Sequence, residues 1–189
     1  MKPLIWTAIA VFILLLFILP ALYLIHSWAP DKLTHSVDLS GESIGGYTVH
    51  DSINDASFRR LYGNPHGKED NELYDYYHWK KRMETASIPS GHDQGSIVRF
   101  IVEGTTGSGG AYLNEFNNQL KTSKGIRLGD TEKTVLSKYG NDYYTYFDDG
   151  LDEKLIGYVD HKRGLKLEFA LTYDSCRVNR IYFEEEKIE

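Results

Sequence analysis

Apolar residues in this chain follow three regimes: one unbroken run near the N-terminus, several alternations of period two, and three stretches with helical spacing. The alternation is clearest from Gly164 to Leu171. There Leu165, Leu167, Phe169 and Leu171 are apolar and Lys166 and Glu168 lie between them, which predicts a strand with one buried face. Further strands are predicted over Leu73–Trp79, Gly95–Glu103, Asp142–Phe147, Leu155–Val159 and Arg177–Phe183, all rich in β-branched or aromatic residues. Turn residues at Asp148-Asp149-Gly150, His161 to Gly164 and Asp174-Ser175 separate the later ones. Lys80–Gln94, broken by Pro89 and Gly91, reads as a loop or a long hairpin connection.

Helical spacing occurs at Ile53, Phe58, Leu61 and Tyr62, after a cap at Asp51 or Ser52 and before the stop Gly63-Asn64-Pro65. It recurs at Val135, Leu136 and Tyr139, between a cap at Asp130 or Thr131 and a stop at Gly140. Ala111–Lys121 is a third amphipathic stretch, with Leu113, Phe116 and Leu120 on one face. The first two lie in related surroundings. Gly46 to Ser52 matches Gly125 to Thr131 in order: glycine, apolar, polar, apolar, any residue, aspartate, hydroxyl. Leu61 to Asn64 falls on Lys138 to Asn141, and Val98–Glu103 resembles Asn179–Glu184. Internal similarity of this kind points to one supersecondary unit used twice.

The N-terminal run, Leu4 to Ile25, holds 22 residues without a charge. A helix of that length crosses a bilayer core. A cleavable signal normally has a shorter apolar region, and Pro30 follows the best cleavage site, Ser27-Trp28-Ala29. The expectation is an uncleaved single-pass anchor in the cell membrane, with the lipid bilayer as one partner through Leu4–Ile25 and the bulk of the chain extracytoplasmic. The fold class expected is therefore α+β: an N-terminal transmembrane helix plus two related helix-on-antiparallel-sheet units. The boundaries are 1–29 for the anchor, 30–43 for a stalk, 44–104 for the first unit, 105–110 for a Gly/Ser linker and 111–189 for the second unit.

The second unit resembles a known family. Its lead-in Gly125-x-x-x-Gly129-Asp130-Thr131, a helix ending Lys138-Tyr139-Gly140, and a closing strand with Val178-x-x-Ile181 are similar to the beta-lactamase-inhibitor-protein-like superfamily. That superfamily includes the SmpA/OmlA-type outer-membrane lipoproteins and related anchored proteins of bacilli. The resemblance implies one or two helices packed on an antiparallel sheet, often as tandem repeats, in proteins that act by binding other proteins. This chain has no lipidation cysteine and no disulfide pair, so inhibition of a beta-lactamase is not carried over.

A net charge of −6 speaks against a general nucleic-acid binder, which needs a basic face, and leaves room for a basic partner. The single cysteine, Cys176, excludes an intramolecular disulfide. No metal, catalytic or cofactor motif stands out. The histidines form no HExxH or Cys/His pair, and surface or turn positions are favoured for them. Asp148 to Glu153 lacks the alternating ligands of a calcium loop. The serines and Cys176 have no nucleophile context, and Gly104 to Gly110 lacks the Gly-Lys of a phosphate loop. A hydrolase using His78 and Asp75 is the weakest reading.

The aromatic clusters are the best binding candidates: Tyr74, Tyr76, Tyr77 and Trp79 in the first unit, and Tyr143, Tyr144 and Tyr146, followed by Phe147, in the second. A one-sided sheet cannot bury rings at nearly every position, and exposed Tyr and Trp serve as binding anchors. The function expected is non-enzymatic binding of another protein of the cell envelope or exterior. The alternative is a sensor of a small ligand or of envelope stress, again without catalysis.

Overall fold

The computed structural model describes residues 29–79, 83–104 and 119–186, with isolated positions between Phe12 and Pro20. After a 3-10 turn at Pro30–Leu33, the chain forms α1 (Ala56–Tyr62), then β1 (Gly67–Asp70), β2 (Asp75–Trp79), β3 (Met83–Ser87) and β4 (Ile97–Glu103). It then forms α2 (Glu132–Tyr139), β5 (Tyr144–Asp148), β6 (Glu153–Asp160), β7 (Leu165–Thr172) and β8 (Val178–Glu185). All eight strands join one sheet in the order β1-β2-β3-β4-β8-β7-β6-β5. Every neighbouring pair is antiparallel. Each half of the chain meanders inward from an edge, and the two last strands, β4 and β8, meet at the centre.

The cross-strand register separates the two faces, because paired residues point the same way. Tyr77, Thr85, Phe100, Phe183, Leu167 and Tyr158 form one row. Trp79, Met83, Val102, Ile181, Phe169 and Ile156 form the next. This face is the core side, covered by Phe58 and Tyr62 of α1, Val135 and Tyr139 of α2, and loop residues such as Leu39, Ile44 and Leu120. Neither α1 nor α2 packs on the opposite face; the Pro30–Leu33 turn lies against β5 and β6, with Asp31 near Lys166 and Tyr144.

Helices this short do not hold themselves together, so packing and end groups must fix them. The Thr131 side chain accepts from Thr134 N at 3.2 Å to start α2, and Gly140, at φ +89°, ends it. At α1 the cap position is Asp55, later than the expected Asp51 or Ser52, and its side chain makes no cap bond. Asp51 instead closes the preceding turn, accepting from Thr48 N at 2.8 Å. Asp130 does the same for Arg127 N at 3.0 Å. The turns also meet the sheet in the same way. His50 N donates to Ile97 O and Ile97 N to Asp51 O, while Gly129 N donates to Val178 O and Val178 N to Asp130 O.

Two expectations are corrected. In place of two related helix-on-antiparallel-sheet units, the described residues form one continuous eight-stranded antiparallel sheet with few helices. The reason is the β4–β8 pairing, from Arg99↔Glu184 to Glu103↔Arg180, which no local pattern announces. The transmembrane helix is corrected as well. Among the described residues no helix is long and apolar enough to cross a membrane; α1 and α2 have 7 and 8 residues, against the roughly 20 a span requires. The single-pass and cell-membrane readings therefore lose their support. Most of Leu4–Ile25 lies outside the described residues, as do the linker 105–110 and most of the helix expected at 111–121. In the segment expected as a stalk, Leu39 and Glu42 are buried, and Glu42 accepts from Tyr139 OH at 2.7 Å and Ser123 N at 2.8 Å.

Candidate functional site

On the open face the sequence alternation places charged and tyrosine side chains where the core face has apolar ones. Tyr144, Gly157, Glu168, Tyr182, Ile101 and Glu84 form one row across five strand pairings. Arg99, Glu184 and Lys166 form the next. The side chains link into a chain of charges: Arg99 to Glu184, Glu184 to Lys166 at 2.8 Å, Lys166 to Glu168 at 3.7 Å, and Glu168 to the Tyr144 hydroxyl at 2.7 Å. A second branch joins Glu103 to Arg180 at 3.0 Å and Arg180 to Glu153 at 3.0 Å. Glu153 also accepts from Asn179 at 2.7 Å.

These groups sit under an open pocket of about 270 Å³. Its floor holds Glu153, Glu168 and Glu184, each nearly fully buried, with Arg99 and Lys166 as counter-charges. Its rim is Tyr146, Leu151 and Tyr182, with Asp148 at the turn. Asp148 accepts from Gly150 N and Leu151 N at 3.0 and 3.1 Å, which fixes the turn and presents Leu151, half exposed, at the mouth. Phe147 points to the helix side of β5, away from the pocket, where it meets the exposed Tyr173 ring edge to face at 5.8 Å.

Burial pushes the Glu168 carboxyl upward, and the facing Lys166 only partly opposes this. Burial also pulls Lys166 down, but Glu168 and Glu184 outweigh it and the ammonium is held above its ordinary value. Tyr144 and Tyr146 are both raised, first by burial and then by the Glu168 charge, so both stay protonated and able to donate. Tyr144 reaches Glu168 by lying across Gly157, where a Cβ would overlap its ring. Glycine is required there for close approach, a ring-over-glycine pairing used to pin sheet register.

The seven expected binding aromatics do not share a surface. β2 and β5 are separated by five strands. Trp79 is in the core, donating to Thr85 at 3.3 Å. Tyr77 and Tyr143 pack against the same core, and Tyr74 and Tyr76 against Ala86 and Val98. Tyr144 is buried beneath the pocket, and Tyr146 is exposed on its rim. Glu153, Glu168, Lys166, Arg99 and Tyr182 were not among the expected site residues. The signal for them was the polar half of each alternation.

His78 lies on β2 with Nδ1 at 3.0 Å from Glu84 and Nε2 at 3.7 Å from Glu69. Asp75 instead pairs with Lys68 at 2.9 Å, so the hydrolase pair is not assembled. No cluster able to hold a metal ion occurs among the described residues.

No protein-family description matches the sequence, and no curated protein does. Solved structures give distant similarities. A DUF4309 family protein from Bacillus subtilis shares 17% identity at a TM-score of 0.42, over 69% of this chain and 77% of that one. An extracellular protein containing an SCP domain from Bacillus anthracis shares 11% at 0.40, over 82% of this chain and 49% of the other. A cysteine-rich secretory protein from Staphylococcus aureus shares 11% at 0.43, over 77% of this chain and 46% of the other. The chain thus spans about half the length of the last two. None of the three is described as a beta-lactamase-inhibitor-like or SmpA/OmlA-like protein, and similarity this low transfers no function.

Proposed function

We propose that this chain is a non-catalytic binding module that docks another protein on the open sheet face at its β5–β6 end. The observation that carries this reading is the pocket whose exposed rim, Tyr146 and Leu151, stands over a buried, charge-linked floor. An apolar or aromatic rim around desolvated charges suits a protein contact, in which rings supply burial and fixed charges supply selectivity. The family resemblance, which also implies protein binding, leans the same way.

The test is affinity capture with the whole chain, comparing wild type with a Tyr146→Ala/Leu151→Ser double variant. Both replaced side chains are exposed, so the variant is expected to fold with an unchanged circular dichroism spectrum. Loss of a specific captured protein is expected; an identical captured set from both proteins would overturn the reading. A second reading, a sensor of a small polar ligand, rests on the pocket's volume. Native mass spectrometry showing a small-molecule adduct, abolished by the same double substitution, would favour it over protein docking.

A further inference from the structure

The two edges of the sheet are built differently. β1 is four residues long and reads Gly-Lys-Glu-Asp, the short charged design that discourages further strand pairing. β5 reads Tyr-Thr-Tyr-Phe-Asp, and its three central residues are exposed. It ends the strand order, so no described strand pairs with its outer side. Nor does it carry a proline, a lysine or a bulge in its β6 register. The place beside β6 that precedes β5 is already taken, because Val37 N donates to Val159 O at 2.8 Å and Leu39 N to Asp160 at 3.1 Å. The Pro30–Leu33 turn lies against β5, and among the described residues no strand lies beside Tyr144 to Asp148 on the outer side.

We infer that the β5 edge accepts an extended, basic peptide segment of a partner protein as a ninth strand. The inference rests on the protein-binding reading and names the partner's chemistry. A strand laid against β5 places every second side chain beside Tyr144, Tyr146 and Asp148, on the face that holds the pocket. The pocket is lined by four carboxylates, Asp148, Glu153, Glu168 and Glu184, against Arg99 and Lys166; Arg180 pairs with Glu153 from beside it, which leaves Asp148 without a cationic partner among the pocket's described ion pairs and a net acidic lining. Asp142 and Asp149 flank the strand, and the chain carries −6 overall. Lysine or arginine at alternate positions complements that excess, and the rim tyrosines cover the stems. A second copy of the chain is disfavoured as occupant, since β5 against β5 brings two sets of the same carboxylates together.

The probe is a short, end-capped peptide of alternating lysine and valine, added to the whole chain and followed by amide hydrogen exchange. Protection of the β5 amides by at least about tenfold is expected, together with binding that weakens as salt rises. The same peptide with alternate backbone amides N-methylated keeps its charge but loses the edge hydrogen bonds, and is expected to bind about tenfold or more weakly. Equal binding of the two peptides, protection elsewhere on the face, or no protection at all would overturn the inference. So would self-association of the chain that protects β5 without peptide. These outcomes are separate from the capture experiment: partner loss on Tyr146→Ala/Leu151→Ser without any β5 protection would keep face docking and remove the edge strand.

Discussion

At the scale of single residues, Glu168 shows what the sequence discloses and what it hides. Its position as a polar residue within an apolar alternation is legible. Its burial is not, because the Tyr144 ring that covers it comes from a strand 24 residues earlier and reaches it only over Gly157. Burial raises the Glu168 carboxyl despite Lys166, so the folded chain binds that proton more tightly than the unfolded chain does. Stability should then fall as pH rises from the ordinary carboxylate value, about 4.3, to the raised one, and the whole cost remains above it. Glu168→Gln keeps an acceptor for the tyrosine and removes the titration. Urea denaturation across this pH window should show the variant gaining on wild type as pH rises, with the two similar at the acid end. Parallel pH profiles would mean that Glu168 is not desolvated as described.

At the scale of elements, those with their own punctuation were legible and those made by their neighbours were not. α2 was readable because Thr131 and Gly140 mark its ends. β1 and β3 were missed. β3 reads Met-Glu-Thr-Ala-Ser and buries four of its five residues, yet only Met83 and Ala86 are apolar. Thr85 is tolerated inside because Trp79 donates to it at 3.3 Å, and the Ser87 hydroxyl donates to Asp75 O at 3.4 Å. Those partners lie on β2, so no pattern within β3 reveals them. The helix ends allow a paired test. Thr131→Ala removes a side-chain cap and should cost about 1 kcal/mol. Asp55→Ala removes none and should cost only about a few tenths, the usual size for a surface change. Chemical denaturation of the two variants checks this, and equal losses would show that the caps are not what separates the helices.

At the scale of the molecule, the decisive contact is the seam between β4 and β8, and it explains why a reading in two units went astray. The two halves have the same local order of helix and strands, and each was legible as such. What local order cannot show is that the last strands pair with each other. Arg99 then meets Glu184 and Arg180 meets Glu103 across the seam, on either side of the paired Ile101 and Tyr182. One continuous sheet and one apolar cluster running from Trp79 to Phe169 imply one cooperative transition. Ile181 tests this. It is fully buried on β8, opposite Val102 of β4 and Phe169 of β7. Ile181→Val should cost about 0.5–1.5 kcal/mol. If the sheet unfolds as a unit, the slowest amides of β2 and β3 should lose the same free energy as those of β6 and β7, although β2 and β3 do not touch the changed residue in the register. A loss confined to β6, β7 and β8, with β2 and β3 unmoved, would mean that the seam pairs two bodies that unfold separately.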